Sequence, residues 1–226
     1  MSVQIAKRLF NVHEYHRMGE AGILNNDDRL QLLEGVIIGE TEAGYYTQTF
    51  TVEQYERMVE TGILTEDDRV ELIEGEIVEM SPIGKRHAAC VARLTSLLGE
   101  KLARRVIVWV QNPVKLGKRS EPQPDLTLLK WRDDFYEPSL PTPDDVLLLI
   151  EVSDTTLEAD RQIKIPLSAR AGIVEFWLVN LNDELVEVYA RPLGGAYQSA
   201  IHARRGESIT AQSIAGLTLE VDAVLG

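Results

Sequence analysis

The chain is poor in cysteine, has no long apolar run and carries no excess of positive charge, and each absence excludes a class of protein. A single cysteine, Cys90, cannot close an internal disulfide, so a small stapled secreted scaffold is excluded. No apolar run exceeds five residues, the length of Val146–Ile150, far too short to cross a bilayer. The first twenty residues hold three basic side chains, Lys7, Arg8 and Arg17, with no continuous apolar stretch after them, so no secretory leader is expected. A cytoplasmic protein with no membrane partner is the expectation. With 23 Lys and Arg against 36 Asp and Glu, the chain as a whole is not a protein that coats nucleic acid. What is present is ordinary: 44% apolar and 26% charged residues over 226 positions, enough for a real core.

The charge is unevenly spread. Residues 1–80 hold 6 basic and 17 acidic side chains, whereas residues 81–226 hold 17 and 19. Within 84–120 the basic side chains are Lys85, Arg86, Arg93, Lys101, Arg104, Arg105, Lys115, Lys118 and Arg119, against one acid, Glu100.

The acidic segment is a duplication. Residues 10–38 align with residues 50–78 at an offset of 40, with 16 of 29 pairs identical, among them Phe10/Phe50, Tyr15/Tyr55, Asp27/Asp67 and Gly35/Gly75. Two copies are too few for a solenoid. Each copy reads as a short helix capped by Asn11 or Thr51, a Gly-Ile-Leu stop, an Asp-Asp-Arg turn and a hairpin around Glu34-Gly35 or Glu74-Gly75. The polar stretch 39–49 reads as a linker. Copy two has Glu71, Glu74 and Glu76 where copy one has Gln31, Glu34 and Val36. Either copy one keeps packing without chemistry, or exposed positions have drifted.

The remainder reads as a mixed α/β domain. Val91, Leu94, Leu98 and Leu102 make one stripe of a helix over 84–105. Strands are expected over 106–111, 114–116, 125–129 and 146–152, the last buried on both faces. A second helix over 158–171 ends at Gly172, strands 175–180 and 184–190 follow, and one or two shorter strands close the chain. Alternation puts Leu147, Leu149 and Glu151 on one strand face. Asp125 opens a strand after Pro124, and Asp160, Lys164 and Ser168 line up at i, i+4 and i+8. Two carboxylates on adjacent strand ends suit Mg²⁺ or Mn²⁺, with a lysine to steady phosphate or attacking water. The same residues also read as a strand-start acid, an arginine-paired glutamate and a solvated helix lysine.

The stretch RVELIEGEIVEMSP…RH (69–87), Pro124-Asp125 followed by LTLL, and EVSDTTLEADRQIK…ARAGIVEFWLVN (151–180) together resemble the Uma2 family of restriction-endonuclease-like proteins, in the PD-(D/E)XK nuclease superfamily. The resemblance covers roughly 50–222. It implies a restriction-endonuclease-like core, a mixed central sheet flanked by helices, that binds Mg²⁺ or Mn²⁺ and hydrolyses DNA phosphodiesters. Matched to the motif, Asp125 and Glu151 are the metal-binding acids, Lys164 the catalytic cation and Glu71 an auxiliary acid. His87 and Asp160 are further auxiliary candidates. Ser153 stands where the superfamily usually keeps lysine, and Ser168, Val174 and Phe176 replace the family's frequent tyrosine, proline and tyrosine. Lys85, Arg86, Arg93, Lys115, Lys118 and Arg119 are the expected phosphate contacts. The expected domains are an acidic arm, 1–49, and a nuclease-like domain, 50–226, with a homodimer formed through the doubled arm. A catalytically silent binding or regulatory protein on the same fold is the alternative, because an acidic arm repels or mimics DNA.

Overall fold

The computed structural model describes residues 5–25 and 28–226. Asp27, the first residue of the expected copy-one Asp-Asp-Arg turn, lies outside the described residues. The chain divides into two compact units, one of Ile5–Met80 with Gly117–Glu121, the other of Ser81–Leu116 with Pro122–Gly226.

The N-terminal unit runs α1 (Val12–Glu20), β1 (Leu30–Leu33), β2 (Val36–Thr41), β3 (Gly44–Thr47), α2 (Val52–Glu60), β4 (Val70–Ile73) and β5 (Glu76–Glu79). Both copies therefore form a helix followed by a hairpin. Each helix starts with a reciprocal cap: the Asn11 side chain accepts from the Glu14 amide at 3.0 Å, and Thr51 from Gln54 at 3.2 Å. The N3 side chains return the bond to the cap amides at 2.8 and 2.9 Å. Tyr15 and Tyr55 donate to the carbonyls of Leu30 and Val70 at 2.9 and 3.1 Å, tying each helix to its own hairpin. Both turns put a glutamate and a glycine at positive φ, 48° and 83° for Glu34-Gly35 and 51° and 89° for Glu74-Gly75, the twist a two-residue hairpin needs.

The copies differ in cover. Along β4 all four residues are buried, whereas β1 alternates between half-buried and exposed. The cause is the 117–121 segment, which lies beside β4, with the Glu121 amide donating to Leu72 O at 2.8 Å. The stretch 39–49 is no simple linker. The end of β2 and β3 form a hairpin, because Gly44 turns the chain at φ 125° and Tyr45, Tyr46 and Thr47 favour extended backbone.

The larger unit begins with α3 (Lys85–Leu102), a 3₁₀ turn (Ala103–Arg105), β6 (Val106–Val110), β7 (Leu126–Lys130) and β8 (Val146–Ser153). Next, α4 (Leu157–Ala159) passes through a π turn (Asp160–Lys164) into α5 (Ile165–Ala171). Then follow β9 (Glu175–Asn180), β10 (Leu185–Leu193), β11 (Ala196–Arg204), β12 (Ser208–Thr210), β13 (Thr218–Glu220) and α6 (Val221–Leu225). Six strands make one sheet in the order β11-β10-β9-β8-β7-β6. Only β8 and β9 pair in parallel, and the helical crossover between them is what a parallel pair requires. The expected mixed sheet flanked by helices is the fold observed.

The expected apolar stripe of α3 is buried: Leu94 and Leu98 are fully enclosed with β-strand residues Leu126, Leu128, Leu148 and Ile150. Cys90 joins that core, its thiol reaching Val224 O on α6 at 3.5 Å, and burial pushes its pKa up to about 11. Three expectations need correction. Residues 114–116 are not a strand, since their amides serve a loop: Val114 donates to Pro122 O at 3.0 Å and Lys115 to Pro141 O at 2.9 Å. The helix over 158–171 is not uniform, because Pro166 has no amide to offer the preceding turn, and the Ile165 amide reaches five residues back to Asp160 O. The chain closes not with short strands alone but with the nine-residue β11, a β12–β13 ribbon and α6. Among the described residues, no helix is long and apolar enough to cross a membrane.

Candidate active site

Antiparallel register sets the site. Leu126 of β7 pairs with Ile150 of β8, so Asp125 and Glu151, one step further along each strand, come side by side. The Asp125 amide points to Glu151 Oε2 at 3.4 Å, and the Val152 amide donates to Asp125 Oδ2 at 2.9 Å. Both acids are buried, at 8% and 4% exposure. Glu151 Oε1 accepts from Lys164 Nζ at 2.9 Å.

The helical crossover delivers that lysine. Lys164 closes the π turn, and Asp160, which opens it, has Oδ1 4.0 Å from the same ammonium. Asp160 is itself 3% exposed and accepts from Ser153 and from Thr156, the latter at 2.7 Å. Ser153 carries no charge, and its hydroxyl donates to Asp160, the acid beside Lys164.

A fifth group comes from α3. His87, in the first turn, places Nε2 2.9 Å from Asp125 Oδ2, and its Nδ1 is buried with no hydrogen-bond partner. Gln111, at the end of β6, donates to Asp125 Oδ1 at 3.2 Å from a left-handed backbone, φ 48°.

The electrostatics follow. Burial pushes the Asp125 carboxyl up, but the His87 hydrogen bond and charge, the Val152 amide and Lys164 outweigh it and hold it below the usual range. For Asp160 burial wins over Lys164 and the two hydroxyls, and its pKa is raised. The hydrogen bond to Asp125 raises His87 against the opposing effect of burial.

Of the residues singled out in the sequence, Asp125, Glu151, Lys164, Asp160 and His87 gather here. Glu71 belongs to the N-terminal unit, where it is buried on β4. Arg86 is tied to Asp154 at 3.0 Å, and Arg93 donates to the Val224 carbonyl at 3.2 Å and to Leu225 O, closing the last helix. Lys85 is exposed, Lys115 is half-buried, and Lys118 and Arg119 are exposed side chains of the N-terminal unit. Gln111 and Thr156 escaped sequence reasoning, and Ser153 was noted there only as standing in place of a lysine. The Gln-Asn-Pro break after the β6 run is the one visible sign of Gln111, and Thr156 is a common hydroxyl residue with no distinguishing spacing.

The donor set suits a hard divalent cation. Among the described residues no three His, Cys, Asp or Glu side chains cluster as a complete protein cage. Two adjacent carboxylates with a neighbouring ammonium match instead the way Mg²⁺ is held, by one or two acids with waters and substrate phosphate completing the shell.

Comparison with known proteins agrees with the architecture. The family model described as "Uma2: Putative restriction endonuclease" matches residues 52–222. A crystal structure of "a putative nuclease" from Anabaena variabilis is similar, with a TM-score of 0.60 at 16% identity, covering 78% of this chain and 97% of its own. That likeness speaks for the fold. No curated protein matches the chain.

Proposed function

The chain belongs to the Uma2 family, and from that premise we propose that it is a metal-dependent endonuclease that hydrolyses DNA phosphodiester bonds. The observation that carries this reading is the convergence of Asp125, Glu151 and Lys164, three groups distant in sequence, on one buried spot of the sheet. Asp125 and Glu151 are the residues that would hold Mg²⁺ or Mn²⁺, which when bound would polarise the phosphoryl oxygens and make hydroxide accessible near neutral pH.

The chain's own residues do the rest. Lys164 brings a positive charge next to Glu151, where it offsets charge that builds on a phosphate in the transition state. Asp160, fixed by Ser153 and Thr156, keeps the lysine's ammonium over the acids. His87 and Gln111 hold both oxygens of Asp125, so its carboxylate is oriented before substrate arrives. Lys85, exposed in the first turn of α3 two residues before His87, is the best-placed of the expected phosphate contacts. Glu71 remains an auxiliary candidate.

A second reading has one specific observation in its favour. Each acid already holds a nitrogen partner, Asp125 with His87 and Glu151 with Lys164, as in a catalytically silent nuclease fold kept for binding. Incubation of supercoiled plasmid with the protein in Mg²⁺ or Mn²⁺, beside Asp125→Ala, separates the two. Nicked and linear products with wild type and none with the variant support the nuclease. Equal outcomes for the two proteins favour the silent fold.

A further inference from the structure

In the N-terminal unit the two copies exchange strands at matching positions. The stretch before α1 lies against β5: the Arg8 amide donates to Ile77 O at 2.9 Å, and Lys7 sits opposite Val78. The stretch before α2 lies against β2: the Gln48 amide donates to Ile37 O at 2.8 Å, and Thr47 sits opposite Ile38. At the 40-residue offset of the repeat, Lys7, Arg8, Ile37 and Ile38 become Thr47, Gln48, Ile77 and Val78. The two pairings are images of each other. Phe10 and Phe50, also equivalent, meet edge to face with ring centroids 6.1 Å apart. Copy one gives copy two what it receives from it, which is the geometry of an isologous contact between identical subunits, here within one chain.

The contact is not equally strong in both directions. Lys7 Nζ meets Glu76 at 2.6 Å, and Arg8 bridges Glu14 at 2.7 Å and Asp68 at 3.0 Å. Arg17 adds a bond to Gly62 O at 3.0 Å. The equivalents of Lys7 and Arg8 are Thr47 and Gln48, which have no charge to offer, so copy one suits the copy-two face better than a second copy two does.

We propose that the face of copy two covered by copy one is a self-pairing surface, and that copy one is an in-chain substitute for a second copy of this chain. While copy one is seated the surface is closed. Once copy one is displaced, Thr47 and Gln48 of one chain take the place of Lys7 and Arg8 along β5 of another. The charged contacts and the high effective concentration of a tethered segment both favour the closed form. The family model begins at residue 52, so copy one lies outside the stretch it matches. None of this depends on the nuclease reading.

The test uses the full-length chain at tens of micromolar in sedimentation velocity. Wild type is expected at the mass of one chain. Lys7→Glu with Arg8→Glu sets acids against Glu76, Glu14 and Asp68, and is expected to double the mass. Adding Thr47→Cys and Val78→Cys to that variant is expected to give a disulfide between chains. A folded double-glutamate variant that stays at single-chain mass, or that forms no such disulfide, overturns the proposal. If that variant unfolds, the milder Lys7→Ala with Arg8→Ala carrying the same cysteine pair decides: a folded chain that forms no Thr47–Val78 disulfide between chains overturns the proposal.

Discussion

Replacing Lys164 with methionine keeps the length of the side chain and removes its charge from among three buried acids. At 2.9 Å the Lys164–Glu151 attraction is about 6 kcal/mol at an effective dielectric of about 20. Much of that is offset by the desolvation of the ammonium, so the net loss expected is about 3 kcal/mol, at the low end for breaking a buried pair from one side. All three tryptophans, Trp109, Trp131 and Trp177, lie in the larger unit, so their fluorescence in urea reports on that unit alone. With a slope of about 2–3 kcal/mol/M, the midpoint should fall by about 1–1.5 M in EDTA at neutral pH. The loss should shrink in acid, where the carboxyls left behind are protonated. It should also shrink when Glu151→Gln is combined with Lys164→Met, since the charge stranded by the first change is then gone. Mg²⁺ at about tenfold over its dissociation constant should return about 1.4 kcal/mol to Lys164→Met, and little when Glu151→Gln is also present. A midpoint that moves by less than about 0.3 M, or strictly additive effects of the two changes, would refute the account of the site as a charge-balanced cluster.

Three further outcomes follow from the same geometry. Gly75→Ala should destabilise the N-terminal unit by more than about 1 kcal/mol, read by far-ultraviolet circular dichroism, because φ is 89° and a Cβ would stand 2.9 Å from Thr49 Cβ and 3.3 Å from Phe50 O. A melt unchanged by that substitution would contradict the turn geometry. For Asp68, burial pushes the carboxyl up, but the Thr65 amide and hydroxyl and Arg8 outweigh it and hold the pKa low. Its folded form thus gains stability above the ordinary carboxylate range and loses it as pH falls through the lowered value. Arg8→Gln should therefore be less stable than wild type at neutral pH and equal to it in strong acid, and a gap that persists in acid would point to another cause. Asp160 has the opposite sign: a raised carboxyl makes the fold less stable as pH rises above the ordinary value. Asp160→Asn should be neutral or stabilising at pH 8 in a thermal melt while slowing plasmid cleavage, and a clear loss of stability there would mean that its hydroxyl partners outweigh its burial.

The sequence made some of this legible and left the rest hidden for identifiable reasons. Periodicity found α3 and β8 because their apolar faces are long and uninterrupted, and the repeat located both hairpins because Glu-Gly turns carry a strong local signal. The pairing of Asp125 with Glu151 could be anticipated from the family motif, yet their closeness is a matter of strand register, which no local pattern encodes. Lys164 was found as a helix residue, but its reach to Glu151 depends on a π turn whose cause, Pro166, lies two residues further on. Gln111, and the bond of Ser153 to Asp160, were missed because a single amide or hydroxyl acquires meaning only from the acid it touches. Arg86 and Arg93 have carbonyl and carboxylate partners that spacing does not reveal.

The lone thiol at position 90 has a practical consequence. Carried on α3 and packed toward α6, with no exposed surface and reluctant to ionise, it is shielded from soluble alkylating reagents while the larger unit is closed. Its modification rate therefore times the opening of that unit and of nothing else, since the other half of the molecule carries no sulfhydryl. A probe of local breathing is thus built into the native chain, with every other surface blank for reporters placed by choice.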